Sequence, residues 1–148
     1  MKIDQKDFEK RWNVFLNIVG LDVQEALKKK LTDEHGRDTG QLKGSILYSA
    51  GITNTIVFSM DKHGEYVEYG TPPHILSKEE IEELEGWIKR KNPDWTDKKG
   101  KELTVEQKML RLAEIIAKRG TKPYPFIRMT FHQDIKKIIS EALKESFK

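Results

Sequence analysis

One triplet in the sequence matches a known catalytic motif. Asp38-Thr39-Gly40 matches the active-site triplet of aspartic proteases, which place the aspartate in a buried loop after an apolar strand so that two carboxylates share one proton. Here the flanking residues are polar, and Asp and Gly also favour ordinary turns. We therefore interpret the triplet as a turn, and a small hydrolase with a carboxylate site ranks last among the functions considered.

The four histidines do not form a metal-binding pattern. No histidine lies four residues from another one, and the chain has no cysteine that could complete a zinc site. The glycine-rich phosphate-binding signatures and the G-x-S-x-G context of a nucleophilic serine are also missing from the sequence. The sequence therefore predicts no catalytic residue, no metal site and no cofactor, and the protein is not expected to be an enzyme.

The charged residues give little support for nucleic acid as the main partner. The chain has 27 basic and 24 acidic residues, a net charge of +3. Basic runs at 28–30, 98–101 and 136–137 could bind phosphates, but acidic residues neighbour each run, and nucleic-acid binders usually have a basic excess. No sequence-specific nucleic acid is expected, and a small nucleic-acid-binding regulatory protein is kept as the alternative function.

Hydrophobic spacing predicts two long helices that frame any site. Apolar residues recur at steps of three and four over 8–31 and again over 127–147, which is the pattern of amphipathic helices. Gly20 interrupts the first pattern, so one kinked helix and two shorter helices both remain open. No apolar run approaches the roughly 18–20 residues that a membrane span needs, so no membrane partner is expected.

The region between the long helices is predicted to form a small antiparallel sheet. Strands are expected over 42–48 and 52–60, where β-branched residues are frequent and apolar residues alternate with others. Residues 65–69 are expected to form a third strand or a short helical turn. The prolines that follow Thr71 end this region firmly, because proline lacks an amide donor and fixes its backbone.

Two capping boxes, beginning at Ser77 and Thr104, predict a pair of helices. They make up a strongly charged helical excursion at about 77–120. Elements segregated in this order indicate an α+β fold, in which a small antiparallel β-sheet is packed by long N-terminal and C-terminal helices, with the excursion as a helical insertion. The chain is predicted to form a single domain over 1–148.

Three segments resemble one family of phage structural proteins. Residues 38–46 (DTGQLKGSI) are similar to its D-T-G-x-L-x-x-S-I turn and first strand, residues 66–74 (YVEYGTPPH) to its Y-x-x-x-V-E-[FY]-G-T segment, and residues 122–128 (KPYPFIR) to its x-P-x-P-F-[LI]-R sequence before the last helix. In this order, the segments resemble the tail-completion and head–tail joining (neck) proteins of long-tailed double-stranded DNA phages. Two features differ from the family. Met129 stands where the family often has proline after the arginine, and the helical excursion at about 77–120 is longer than the corresponding region of the family tends to be.

The resemblance implies a structural virion protein without a reaction. Such a protein is expected to form a ring of its own copies, a hexamer, between the head connector or adaptor and the tail tube. It is expected in the host cytoplasm during assembly and then at the head–tail junction of the virion, and a prophage copy would have the same sequence features. Contacts are expected through sheet edges and through the loops after Gly40 and Gly70.

The resemblance and the turn chemistry together give ten candidate interface residues. For Phe126, burial in the core of its own subunit and docking into a neighbour both remain open. Glu68 and Tyr69 are expected to face a neighbour across a strand edge. The candidates are Asp38, Gly40, Glu68, Tyr69, Gly70, Thr71, Pro123, Pro125, Phe126 and Arg128.

Overall fold

The computed structural model describes residues 3–33, 40–51 and 53–148. These ranges contain seven helices and one two-stranded antiparallel sheet, so the predicted α+β class is confirmed. The helices are α1 (Gln5–Asp33), α2 (Gly40–Ser45), α3 (His63–Tyr69), α4 (Lys78–Lys91), α5 (Val105–Arg119), α6 (Phe126–Gln133) and α7 (Ile135–Ser146), and the strands are β1 (Leu47–Ala50) and β2 (Ile56–Ser59). None of the described helices combines the length and apolar character needed to cross a membrane.

The chain divides into two compact units. Unit 1 combines the N-terminal part up to Glu68 with the C-terminal part from Tyr124, and unit 2 consists of the residues between them, from Tyr69 to Pro123. The predicted helical excursion at about 77–120 therefore lies inside unit 2.

The apolar core of unit 1 is organised around α1. One stripe of this helix packs against both strands and against α6 and α7. Burial of a large aliphatic side chain contributes roughly 1.5–3 kcal/mol, so this stripe supplies much of the stability of the unit. The core side chains are Phe15, Leu16, Val19, Val23, Leu27, Leu31, Leu42, Ile46, Tyr124, Phe126, Ile138 and Ala142.

Helix α1 runs without a break through Gly20, which decides between the two predicted possibilities. The ring of Tyr48 on β1 lies directly over this glycine, and a Cβ atom at position 20 would overlap the ring. The glycine therefore lets the sheet approach the helix closely, and this contact outweighs the roughly 1 kcal/mol that glycine costs inside a helix.

The strand predicted over 42–48 is wrong in its first part, because residues 40–45 form helix α2. Leu42 and Ile46 are both almost completely buried, and their spacing of four residues brings both side chains to the same side of a helical turn. The hydroxyl of Ser45 donates a hydrogen bond to the Leu42 carbonyl oxygen at 2.7 Å. Burial of this pair outweighs the β-propensity of the segment.

The sheet is shorter than predicted. Strand β2 covers only part of the predicted range 52–60, and Ile52 lies outside the described residues. The register pairs Leu47 with Ser59, Tyr48 with Phe58, Ser49 with Val57 and Ala50 with Ile56. Tyr48, Ala50, Ile56 and Phe58 are half-buried, whereas the alternate residues are exposed. Residues 65–69, for which a strand or a helical turn was predicted, belong to helix α3.

Unit 2 is built on an α4–α5 pair whose helix starts agree with the sequence. Both predicted capping boxes are present: the Ser77 hydroxyl accepts from the Glu80 amide at 3.2 Å, and the Thr104 hydroxyl accepts from the Gln107 amide at 3.2 Å. Each box satisfies amide groups that would otherwise lack a partner in the first helical turn. Ile88 is the one apolar side chain of the two helices that is buried.

The final amphipathic segment forms two helices instead of the predicted single one. Helix α6 ends at Gln133 and α7 begins at Ile135. The Thr130 hydroxyl donates to the Phe126 carbonyl oxygen at 2.8 Å, a local bond that competes with regular helix geometry and often accompanies bending. The apolar spacing continues across the break, because Asp134 is the only residue between the helices.

Candidate assembly surface

The carboxylate of Glu68 lies at the N-terminus of α6. One of its oxygens accepts a hydrogen bond from the Ile127 amide at 2.8 Å, the other accepts from the Arg128 amide at 3.3 Å, and the Arg128 Nε atom lies 3.5 Å from the carboxylate. Pro125 precedes the helix and provides no side-chain cap. Glu68 therefore replaces the local cap, at a helix end whose unpaired amides favour negative charge.

Burial makes this arrangement specific. The Glu68 residue is 3% exposed, and an ionised carboxylate that is removed from water is costly unless it is fully hydrogen-bonded. Its partners are two backbone amides and a guanidinium group, which together satisfy both oxygens. Helix α3 carries Glu68, and the Tyr124 amide also donates to the carbonyl oxygen of Val67 on that helix at 2.7 Å.

Within unit 2, Thr71 pairs with Thr121 in an isolated antiparallel bridge. Each amide donates to the other residue's carbonyl oxygen, at 3.2 Å and 3.0 Å, and the two hydroxyl oxygens lie 2.9 Å apart. Gly70 and Gly120 precede these threonines with φ values of 69° and 68°. A Cβ atom on either glycine would overlap the backbone of the opposite segment, so both positions require glycine.

His74 connects the segment after this bridge to the start of α4. Its Nδ1 atom lies 2.9 Å from the Pro72 carbonyl oxygen and its Nε2 atom lies 3.0 Å from Glu80 Oε1. Both partners are acceptors, so the doubly protonated imidazolium suits the site best. The bond with Pro72, and then the bond with Glu80, raise the pKa of His74. The pKa of Glu80 is lowered, mainly because its carboxylate accepts from the Ser77 amide.

The candidates of the sequence analysis fall into exposed and buried groups. Tyr69 is 68% exposed, and the side chain of Arg128 is 59% exposed. Gly40 and Pro123 are exposed as well, Pro125 is half-buried, and Asp38 lies outside the described residues.

Two expectations need correction. Glu68 and Tyr69 were expected at a strand edge, but both belong to helix α3, and the Glu68 side chain is used inside unit 1. The two possibilities left open for Phe126 are resolved in this structure, because the side chain is 0% exposed and packs in the unit 1 core. A buried ring of this size mainly stabilises its own fold.

Sequence reasoning missed several residues that build these contacts. Thr121, Gly120 and Glu80 were not candidates, although each is bonded to or packed against the segment 70–74. One signal was available: a Gly-Thr dipeptide occurs at 70–71 and again at 120–121. The Glu68 cap had no such signal, because its partners follow about 60 residues later in the chain.

The geometry joins the second and third segments of the resemblance. Residues 66–74 and 122–128 are connected in unit 1 through the Glu68 carboxylate, and the bridge at Thr121 lies directly before the third segment in unit 2. Among the described residues no group of three or more histidine and acidic side chains is arranged to hold a metal ion. Comparisons with protein-family models, with curated proteins and with solved structures gave no match.

Proposed function

We propose that this chain is a structural virion protein, a tail-completion or head–tail joining adaptor that forms a ring between the head connector and the tail tube. One observation carries the proposal. Two of the three segments of the resemblance, 66–74 and 122–128, are bonded to each other through the buried carboxylate of Glu68. A shared structural role explains why both segments occur in one chain.

The resemblance motifs contain a rigid part and an exposed part. Glu68 and Phe126 are buried, and Gly70 has a restricted backbone position. Tyr69 and Arg128 come from the same two segments and are largely exposed. Tyrosine and arginine are among the residue types most enriched in the energetic centres of protein interfaces. The buried residues of the motifs therefore fix the backbone that presents these two candidate contacts.

The charge distribution of α4 supports a role in orientation. Glu79, Glu80, Glu82 and Glu83 lie in its first half and Glu85 follows directly, whereas Lys89, Arg90 and Lys91 occupy its last turn. This order stabilises the helix through its dipole, and it also gives one helix an acidic end and a basic end. In a ring, such a surface provides electrostatic complementarity, which contributes to register and partner choice more than to affinity.

The proposal is tested by the solution mass of the protein with and without tail-tube and head-connector proteins. Light scattering over a wide concentration range is expected to detect a ring-sized species, either free or formed when a partner is added. The Tyr69→Ala variant is expected to weaken this assembly at least roughly fivefold, because loss of an interface aromatic costs more than 1 kcal/mol at an energetic centre.

Tyr66→Ala is the matched control, because Tyr66 is also an exposed tyrosine on α3 and is 45% exposed. Equal effects of the two substitutions would remove Tyr69 from the interface. A protein that ignores both partner proteins would contradict the adaptor role. Salt-dependent binding to DNA in that same protein would instead favour the alternative of a small nucleic-acid-binding regulator.

A further inference from the structure

The sheet of unit 1 has one edge that a side chain closes. The amide of Tyr48 on β1 donates to Gln24 Oε1 on α1 at 3.0 Å. Gln24 is 9% exposed, so this side-chain oxygen lies where a further strand would have to approach. Because α1 also packs along β1, a third strand is not expected to join the sheet on this side.

The same bond reveals which backbone groups of β2 point away from β1. Residues opposite each other in an antiparallel pair alternate between hydrogen-bonded and non-hydrogen-bonded pairs. Since the Tyr48 amide points to Gln24, the pair Tyr48–Phe58 is of the non-hydrogen-bonded kind. The pair Ala50–Ile56, two residues along, is of the same kind. The backbone amides and carbonyls of Ile56 and Phe58 therefore point outward from β2.

Among the described residues, none pairs with this outer edge of β2. In the part of the chain that the structure describes, no hydrogen bond from outside the sheet reaches the backbone of Ile56 or Phe58. The strand sequence Ile-Val-Phe-Ser has no charge and no proline, which are the usual protections of an exposed strand edge. Val57 is 58% exposed on one face of the sheet, and Phe131, which is 41% exposed, packs edge-on against the Phe58 ring.

We propose that β2 pairs with β2 of a second copy of this chain, antiparallel about a two-fold axis at Val57. Only an extended strand satisfies alternating outward amides and carbonyls, and β2 itself is such a strand. Because the β1 edge is closed, two copies can join edge to edge only through β2 on both sides, which gives an isologous contact. The result is a four-stranded sheet in the order β1–β2–β2–β1.

The open groups match each other in this register. Ile56 stands opposite Phe58 of the second copy, and the symmetric pair repeats the arrangement, so that all the outward amides and carbonyls of the two residues have partners. Val57 meets Val57 of the second copy on the exposed face, in a non-hydrogen-bonded pair where side chains approach most closely. A two-stranded sheet is marginal alone, and four strands are more stable.

This contact closes at two copies, so it is distinct from the proposed ring and does not depend on it. A ring of more than two copies in a head-to-tail arrangement needs two different surfaces on each subunit. Val57→Lys places like charges opposite each other at the two-fold axis and is expected to abolish the dimer. The same variant keeps Tyr69 and Arg128, so ring formation with the tail-tube protein can be measured separately.

Cysteine cross-linking tests the register, since the natural chain has no cysteine. In Val57→Cys the two Cα atoms across the axis are expected about 4.5 Å apart, within the range of a disulfide. Ser59→Cys is the matched control, because it lies on the same exposed face of β2. In the proposed register its two copies are separated by four residues along the strand, roughly 13 Å.

We expect oxidised Val57→Cys protein to form a covalent dimer with a yield roughly tenfold above that of Ser59→Cys, because only the first pair lies within bonding distance. Hydrogen exchange of the natural protein should show the Ile56 and Phe58 amides gaining protection as concentration rises, with Val57 and Ser59 unchanged. Equal cross-linking of the two variants, or a natural protein that stays monomeric up to about 1 mM, would overturn the proposal.

Discussion

Unit 1 and unit 2 are stabilised by different kinds of contact. The hydrophobic core cluster consists of unit 1 residues, whereas Ile88 is the only apolar side chain of unit 2 that is buried to the same degree among the described residues. In unit 2 a lysine shares the interior: Lys108 is 2% exposed, and its ammonium group lies 3.2 Å from a Glu102 carboxylate oxygen.

Polar contacts hold much of unit 2 together, whereas unit 1 is held mainly by its apolar core. Two capping boxes, the Thr71–Thr121 bridge and the His74–Glu80 contact fix the ends of α4 and α5. Each hydrogen bond contributes only about 1 kcal/mol net, and its strength depends on solvent and pH. The stability of unit 1 should therefore be sensitive to lost side-chain volume, and that of unit 2 to backbone geometry and protonation.

The largest effect is expected from Leu27→Ala in unit 1. Leu27 is 1% exposed in the core stripe of α1, and such a truncation removes buried surface and leaves a cavity, at a cost of about 2–5 kcal/mol. Ile88→Ala in unit 2 is expected at the lower end of that range, because the described part of unit 2 has no other apolar side chain buried to the same degree. Urea denaturation of both variants measures their free energies of unfolding, and a larger loss for Ile88→Ala would contradict the expected difference between the two units.

A smaller effect, confined to unit 2, is expected from Gly120→Ala. The substitution puts a side chain at φ 68° and ψ −161°, a backbone region essentially restricted to glycine, and against the backbone of Thr71 and Pro72. The strained backbone and the overlap together are expected to cost about 2–3 kcal/mol. Gly100→Ala is the control, because φ is 80° there but no atom lies within 4 Å of the new Cβ. It should cost only about 1 kcal/mol.

Hydrogen exchange distinguishes these two glycine variants by region. Faster exchange is expected in residues 69–123 of Gly120→Ala, with unchanged protection in α1 and α7, because the strained glycine position lies in unit 2. Equal exchange in the two variants would mean that the contact between the segments at Thr71 and Thr121 does not stabilise unit 2.

A pH dependence of a few degrees in melting temperature is expected from His74. Its raised pKa means that the folded protein binds the proton more tightly, so the contribution is fully present below the ordinary value of 6.5 and is lost as pH rises through the raised pKa. His74→Gln should abolish this loss. Glu80 acts in the opposite direction: its lowered pKa gives stability above 4.5 that is lost in acid. A melting temperature with the same pH profile in His74→Gln would refute this role.

The smallest effect is expected from Asp22→Asn on α1, and it tests electrostatics inside unit 1. Partial burial, and then the charges of Glu145 and Glu141, raise the pKa of Asp22. The ionised form is therefore unfavourable in the folded state at neutral pH, and the amide should stabilise unit 1 by at most about 0.5 kcal/mol, because solvent screens this group. The gain should vanish in acid and shrink with salt. Destabilisation by Asp22→Asn at pH 7 would contradict the view that the Asp22 charge is unfavourable in the folded protein.

The sequence correctly predicted those parts of the fold that are set by residues close together in the chain. Ser77 and Thr104 each stand three residues before the side chain that completes a capping box, and the apolar spacing of α1 is visible without any partner. The prediction from local sequence was wrong over the first part of 42–48. The spacing of Leu42 and Ile46 is compatible with both a strand and a helix, and burial of both side chains in the unit 1 core decided between them.

The candidate site depended on the sequence for its residue types and on tertiary structure for their roles. The sequence determined that Glu68, Gly70 and Phe126 occur in two of the three segments that resemble the phage family. Only the folded chain decided that Glu68 caps α6, that Gly120 lies against Thr71, and that, among the described residues, the edge of β2 is open while that of β1 is closed. These contacts join residues far apart in the chain, and hydrogen bonds of this kind leave no periodic pattern in a sequence.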